Sequence, residues 1–331
     1  MLNTNRNLLF KAIILALCVI SFVHVFLFPL YDIQTERGPA KTYTDFEQSL
    51  CMSNIKKKRI WRMGRCPQYG IVTIMQGGRL GNQMWEYASV WALARRTGLE
   101  PYIPRCIKIK LDLVFEQLSV PTFEEIGHCP VQINHFVKSL ETWNFTNQSI
   151  ILPRYSIQPD LVLTWVQDIV QEFTIKRKLL DKSQQILHRA IKTSNKLNHI
   201  FVGVHVRRTD YIGYLKRKHN IHPADYNFFI SAMKTFEKKY SNCIFVMVSD
   251  DPLWCWKNFG FKSNVYVSGR RQKNSPALDM AILASCNHTI YDYGTFGEWG
   301  AILAGGETIY YNLSHHSSAR IGQLMKNWHT I

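Results

Sequence analysis

From residue 199 onward the chain alternates short β-branched apolar runs with stretches of helical period, and nothing else in it constrains the fold as tightly. "HIFVGVHV" (199–206), "CIFVMVSDD" (243–251), "HTIYDY" (288–293) and "ETIYYNL" (307–313) read as strands. "ADYNFFISAMKTFEKKY", "SPALDMAILASC" and "TFGEWGAILAGG" lie between and beside them and read as helices. Strands joined through helices of this length pair in parallel, as βαβ units. The unit also occurs nearer the N-terminus. "GIVTIM" (70–75) is a buried-strand candidate and "QGGRLG" (76–81) a glycine-rich turn; "NQMWEYASVWALARR" (82–96) is a helix with Met84, Tyr87, Ala88 and Trp91 on one face. The expected fold class is therefore α/β, with two Rossmann-like halves whose parallel sheets face a cleft, one at about 66–195 and the other at about 196–331. The stretch 105–195 is less legible, although 167–195 reads as mainly helical, and no internal repeat is visible.

Upstream of this region the pattern is of another kind. Residues 12–30, "AIILALCVISFVHVFLFPL", carry no formal charge over 19 positions, about the length of a helix that spans a bilayer. Arg6 and Lys11 precede it and Asp32 and Glu36 follow, so the positive-inside rule places residues 1–11 in the cytosol and the rest in the lumen. A cleaved signal peptide is the rival reading, against which stands the absence of a small-x-small cleavage site after the run. Residues 31–65, polar and rich in lysine and arginine, read as a stem. Four sequons, at Asn144, Asn147, Asn287 and Asn312, suit a luminal chain. Seven cysteines lie beyond the span, and in an oxidising lumen some should pair with one left over. None has zinc-site spacing with histidine, so no structural metal is expected. The net charge of +16 predicts acidic partners. Luminal topology and the lack of a recognisable binding module set nucleic acid aside.

Chemistry concentrates where strands end. "HVRRTDY" (205–211) puts Arg207 and Arg208 at the carboxyl end of a strand, where open α/β sheets bind ligands, and a guanidinium fork suits phosphate oxygens. An extended backbone directs only one of the two inward, leaving the other to pair with Asp210 or a neighbouring carboxylate. The loop "GGRLGNQ" (77–83), with Gly81 and Asn82, offers backbone N–H groups and a helix start to an anion, or is a plain tight turn. Asp250, within "SDD", is open to metal-diphosphate binding, to a sugar hydroxyl, or to helix capping. Asp279 inside an apolar helix needs a partner, which a purine's N–H groups or an arginine would supply. Thr295 and Gly297 open the last helix, followed by Glu298.

Together "GRLGNQMWEYA", "FVGVHVRRTDY", "SPALDMAILASCNHTI" and "GTFGEWGAILAGG" resemble the galactoside α-1,2-fucosyltransferases of glycosyltransferase family 11. The resemblance covers most of 70–313, in the family's order, and departs from it at Glu298, where those enzymes have an apolar residue, and at the acidic "SDDP". It implies a single-pass type II Golgi membrane protein with a GT-B-like fold. Such an enzyme moves L-fucose from GDP-β-L-fucose to the 2-hydroxyl of a galactose-terminated glycan, with inversion and with no metal or other cofactor. By the same resemblance Arg207 neutralises the departing β-phosphate and Arg208 supports it. His205 and Asp279 recognise guanine; Gly81, Asn82, Asp250, Thr295 and Gly297 contact the donor. An inverting attack calls for a base on the acceptor hydroxyl, for which Glu86, Asp210, Asp250 and Glu298 are all candidates. A protein O-fucosyltransferase and an inactive sugar-binding relative are the alternative readings.

Overall fold

The computed structural model describes residues 42–54, 64–131, 135–136, 149–191, 198–270, 273–313 and 316–331. The apolar run 12–30, most of the expected stem and the sequons at Asn144 and Asn147 lie outside the described residues. Among the described residues no helix is long and apolar enough to cross a membrane.

The chain opens with α1 (Tyr43–Leu50), β1 (Ile71–Ile74), α2 (Leu80–Thr97), β2 (Glu100–Pro101) and α3 (Arg105–Leu111). Then come β3 (His135–Phe136), β4 (Ile150–Leu152), α4 (Pro159–Val162), α5 (Val166–Glu172) and α6 (Arg177–Ile191). The second part runs β5 (Ile200–Val206), α7 (Thr209–His219), α8 (Tyr226–Lys239), β6 (Cys243–Ser249), α9 (Pro252–Phe259) and β7 (Val265–Val267). It closes with α10 (Pro276–Ala284), β8 (His288–Tyr291), α11 (Thr295–Ala304), β9 (Thr308–Tyr310), α12 (Ser317–Leu324) and β10 (Trp328–His329). The strands form two sheets, a four-stranded one of order β2-β1-β4-β3 and a six-stranded one of order β10-β9-β8-β5-β6-β7. Every pairing in both is parallel. That matches the α/β class with parallel sheets expected from the alternation of strands and helices.

Strand order in the larger sheet fixes where a ligand can sit. The chain builds outward from β5 through β6 to β7, then returns to the other side of β5 with β8, β9 and β10. The order therefore reverses between β5 and β8, and the crevice at the carboxyl ends of those two strands is the position at which doubly wound sheets bind ligands. β5 and β6 are apolar runs because parallel strands are covered on both faces. From Val202 to Val206 and throughout β6 every residue is buried. Helix punctuation is local. Asp225, Asp251 and Ser275 cap α8, α9 and α10 by accepting from Phe228, Trp254 and Leu278 N–H, with proline in the first turn of the last two.

The two halves are fused through α2 and α11. The Trp85 and Trp299 rings lie 4.8 Å apart, and one hydrophobic cluster takes in Ile74, Met84 and Trp85 from one half with Tyr291, Trp299 and Ile302 from the other. Gly81 lets the two helix starts touch, for a Cβ there would lie 2.5 Å from the Phe296 backbone nitrogen.

Three features differ from the sequence expectations. The segment assigned to a stem contains α1, whose Tyr43, Phe46 and Leu50 are buried beside the small sheet. α6, placed by sequence in the first half, packs Ile186, Leu187 and Ala190 on β6 and α10 of the second. Among the described residues the cysteines form two disulfides, Cys51–Cys106 and Cys66–Cys129, and leave three thiols rather than one, at Cys243, Cys255 and Cys286. All three thiols are buried in the six-stranded half. Asn287 and Asn312 are exposed.

Candidate active site

A cavity of about 850 Å³ opens at the β5/β8 crevice, with the start of α2 on its opposite wall. His205, Arg207, Asp210, Asp250, Asp279, Thr295, Gly81 and Asn82 line it, so eight of the residues proposed from sequence share one space. Arg208, Gly297, Glu86 and Glu298 do not line it.

Arg207 follows directly after β5. Its Nη1 donates to Asp250 Oδ2 at 2.5 Å, its Nη2 to Asp210, and its backbone N–H to Asp292 Oδ2 at 2.7 Å. The guanidinium is thus held on one side by a carboxylate in the wall and on the other by an exposed one. Asp250 is filled, since Thr209 Oγ1 and the Arg208 N–H also donate to it. Burial pushes its carboxyl up, but the Thr209 and Arg208 hydrogen bonds with the charge of Arg207 hold it below the usual carboxylate range. Asp250 is thereby an orienter of Arg207. The capping role falls to Asp251.

Arg208 goes the other way. Its guanidinium carbon sits 3.9 Å over the Trp254 ring, and Nε is 3.8 Å from Asp251. The backbone at Arg208 leaves the extended region (φ −128°, ψ −70°) as α7 begins, and this turns its side chain onto α9. It braces the loop that presents Arg207, in a cation–π contact.

Asp279, in the first turn of α10, also lines the cavity and accepts from Asn274 Nδ2 at 2.7 Å. Burial raises its pKa to about 6, so it is ionised at neutral pH and has an oxygen free to accept from a ligand N–H. His205 is nearly enclosed beside Phe296, 5.3 Å between ring centroids, and burial lowers its pKa to about 4, leaving a neutral imidazole. Between these lie the starts of α2 and α11, joined by Thr295 Oγ1 donating to Asn82 Oδ1 at 3.1 Å. Two helix N-termini converge there, and their unpaired N–H groups favour an anion. Gly297 acts from behind, since a Cβ at that position would lie 2.7 Å from the Tyr291 ring.

Both glutamates proposed as bases lie behind the wall, fully buried. Glu86 accepts from the Tyr155 N–H at 3.1 Å and lies against Gly77, and burial raises its pKa to about 8. Glu298 accepts from Trp85 Nε1 at 2.8 Å, from Ser318 Oγ at 2.9 Å and from Ser317 Oγ, with His316 Nδ1 at 3.2 Å. Among the described residues the His, Cys and acidic side chains that converge as a metal site would are Cys66, His128 and Cys129, and the two sulfurs are bonded to each other.

The sequence profile of glycosyl transferase family 11 matches residues 41–331. The chain belongs to this family. Family 11 relatives include mouse galactoside 2-alpha-L-fucosyltransferase Sec1, 34% identical over 253 residues that cover 74% of this chain and 67% of that one. Galactoside alpha-(1,2)-fucosyltransferase 2 of Pongo pygmaeus is 36% identical over 250 residues, 73% of this chain and 71% of the relative. Among solved structures, POFUT1 in complex with GDP aligns with a TM-score of 0.51 at 10% identity, covering 75% of this chain and 100% of that one, a likeness of fold alone.

The family 11 cavity also contains residues that the sequence reading passed over. Tyr155 stands half-exposed at its mouth with φ at 60°, a conformation unusual for a side chain of that size and held by the Glu86 hydrogen bond. Tyr293 stacks on Tyr211 at 4.6 Å and donates its hydroxyl to the Arg207 carbonyl at 3.0 Å. Asp292, buried at the end of β8, holds the Arg207 and Tyr293 N–H groups. A carboxylate closing an apolar strand was the available signal for it. His316 lines the cavity near the chain's end and had no sequence signal beyond its residue type.

Proposed function

We propose that this family 11 chain transfers L-fucose from GDP-β-L-fucose to the 2-hydroxyl of a β-galactoside on a glycan, with inversion at the fucose carbon. The observation that carries the reading is Arg207, a guanidinium oriented by Asp250 at the β5/β8 switch point of a family 11 chain. Breaking the bond between fucose and phosphate builds negative charge on the diphosphate, and donors already in place where charge develops give the largest electrostatic gain. In this reading the β-phosphate takes over the Arg207 donor now given to the exposed Asp210, and the convergent starts of α2 and α11 receive the remaining oxygens. Asp279, ionised and hydrogen-bonded by Asn274, accepts from the N–H groups of guanine. The exposed Tyr155 supplies an aromatic face at the acceptor entrance.

The two parallel sheets joined at a cleft support assignment to the GT-B type. Metal independence is part of the proposal, because Arg207, not a metal ion, meets the diphosphate and the Asp250 oxygens are already occupied. So is a single-pass type II placement in the Golgi membrane with residues 12–30 as anchor, supported by the charge-free run and the sequons.

The test is to offer labelled GDP-fucose to the full chain with a panel of β-galactosides and a set of folded protein acceptors, and to determine the linkage formed. Fucose on the galactose 2-hydroxyl is expected. Transfer confined to protein hydroxyls, or to no sugar at all, overturns the reading. In the same assay Arg207→Ala should lower transfer by about 10²–10³-fold, and EDTA should leave the wild-type rate unchanged.

A further inference from the structure

We propose that His316 is the base that takes the proton from the acceptor hydroxyl, and that Glu298, which touches only protein, positions it. This rests on the fucose-transfer reading above and adds a residue to it. A base in the cavity must have a lone pair that protein does not already occupy. Asp210 is tied to Arg79 at 3.1 Å and to Arg207. Asp250 is filled by Arg207, Thr209 and Arg208. Asp279 accepts from Asn274 and, in the fucose-transfer reading, from the N–H groups of guanine. His205 is enclosed beside Phe296 and, although its Nδ1 has no hydrogen-bond partner, burial lowers its pKa to about 4, which makes it too weak a base.

His316 differs from all four. It lines the cavity, and its Nδ1 lies 3.2 Å from Glu298 Oε1. Its other ring nitrogen, Nε2, has no hydrogen-bond partner among the described residues. Glu298 is fully buried in the first turn of α11, three residues after the Thr295 that lines the cavity. Burial pushes its carboxyl up, yet the hydrogen bonds of His316, Ser317 and Ser318 hold it below the usual carboxylate range. The remaining donors on it, Trp85 Nε1 and the two serine hydroxyls, are neutral. An ionised carboxylate buried this way needs a cationic or strongly donating partner, and His316 is the basic side chain on it.

The contact sets the tautomer. Ser318 Oγ at 3.0 Å, Ser317 Oγ at 3.3 Å and the Ser318 N–H at 3.4 Å also reach Nδ1. The two hydroxyls give their hydrogens to Glu298, and a carboxylate is a stronger competitor than an amide N–H, so Nδ1 carries the hydrogen, donates it to Glu298, and leaves Nε2 as a lone-pair acceptor. In the step itself, Nε2 takes the proton of the galactose 2-hydroxyl as that oxygen bonds to the fucose anomeric carbon. The bond from that carbon to the β-phosphate oxygen breaks and its electron pair leaves on GDP. The imidazolium formed is balanced by Glu298 and returns its proton to solvent afterwards.

The experiment compares wild type, His316→Asn, His316→Gln and Glu298→Gln as full chains. Asparagine is chosen because it is favoured at the N-cap position that His316 occupies before α12, while providing no base. Expected is a fall in kcat for transfer to a galactoside of about 10²–10⁴-fold in both His316 variants. Calorimetric GDP affinity and acceptor KM should stay within about threefold of wild type. Glu298→Gln should give a smaller fall in kcat. Azide, an anionic nucleophile that needs no deprotonation, should restore breakdown of GDP-fucose by His316→Asn, with fucosyl azide and GDP as products. An active wild type with a His316→Asn kcat within about threefold of it sinks the base assignment alone. So does a loss of GDP affinity that parallels the loss of rate, or azide that restores nothing. A wild type that moves no fucose to any galactoside sinks the parent reading instead.

Discussion

Glu86 on α2 and Glu298 on α11 are both fully buried, on helices that touch, one in each half of the molecule. Their environments nevertheless drive them in opposite directions. Glu86 is met by the backbone of Tyr155 and Gly77 with the charge of Arg154 nearby, and burial still raises its pKa to about 8. Glu298 has His316 and three further donors, and its carboxyl falls below the usual range. Depth alone therefore does not decide the charge of a buried carboxylate. The number of side-chain donors that meet it does. The same division runs through the halves. The first rests on strands of two to four residues and holds both disulfides. The second has strands of up to seven residues and keeps its cysteines as buried thiols.

If crosslinks compensate for the short strands, breaking them should separate the halves, and this is the largest effect expected. The disulfides close loops of 55 and 63 residues, and removal of each should cost about 4 kcal/mol by the chain-entropy account. Amide exchange after replacement of all four cysteines by serine should show protection lost first around β1 and β4, with β5 and β6 still protected. Equal loss in both halves would break the comparison. Next in size is Glu298→Ala, which strips a buried acceptor from Trp85, Ser318 and His316 and should cost about 3–5 kcal/mol of unfolding free energy. Glu86→Ala leaves one backbone N–H of Tyr155 unpaired and should cost about 1–3 kcal/mol. Equal losses by denaturant titration would mean that the fuller set of donors on Glu298 contributes nothing.

These differences also mark what could be read from sequence. Parallel sheets were legible because β5, β6, β8 and β9 are apolar runs spaced by helices, a pattern that survives without knowledge of contacts. α1 was not, since in "YTDFEQSL" three apolar side chains at i, i+3 and i+7 are interleaved with polar ones and show their face only once β1 is there to cover it. Arginines at the end of β5 announced an anion site, but which one faces the cavity depends on the backbone turn at Arg208 and on the Trp254 ring waiting on α9. The glutamates were named as bases from their neighbourhood in the sequence. Their depth is set by the crossing of α2 on α11, a contact between residues 213 apart along the chain. His316 lies in a stretch of irregular sequence, and only the arrival of Glu298 from α11 marks it out.

The finest test of the comparison is the sign of the pH dependence. An acid whose pKa is higher folded than unfolded binds more protons in the folded state between the two values, so stability falls as pH rises through that interval. For Glu86 the interval runs from its ordinary 4.5 to about 8. Glu298, with a lowered folded pKa, contributes in the reverse sense: its stabilisation is present above the unfolded value and is lost as pH falls through the folded one. Glu86→Gln should therefore remove a downward slope of up to about 1.4 kcal/mol per pH unit between pH 5 and 8. Glu298→Gln should leave that slope in place and instead weaken the loss of stability seen on acidification. Unfolding curves collected from about pH 2 to pH 8 read both effects on one axis. If Glu86→Gln leaves the slope unchanged, Glu86 is ionised in the folded protein, and the contrast with Glu298 has another cause than the fewer donors on Glu86.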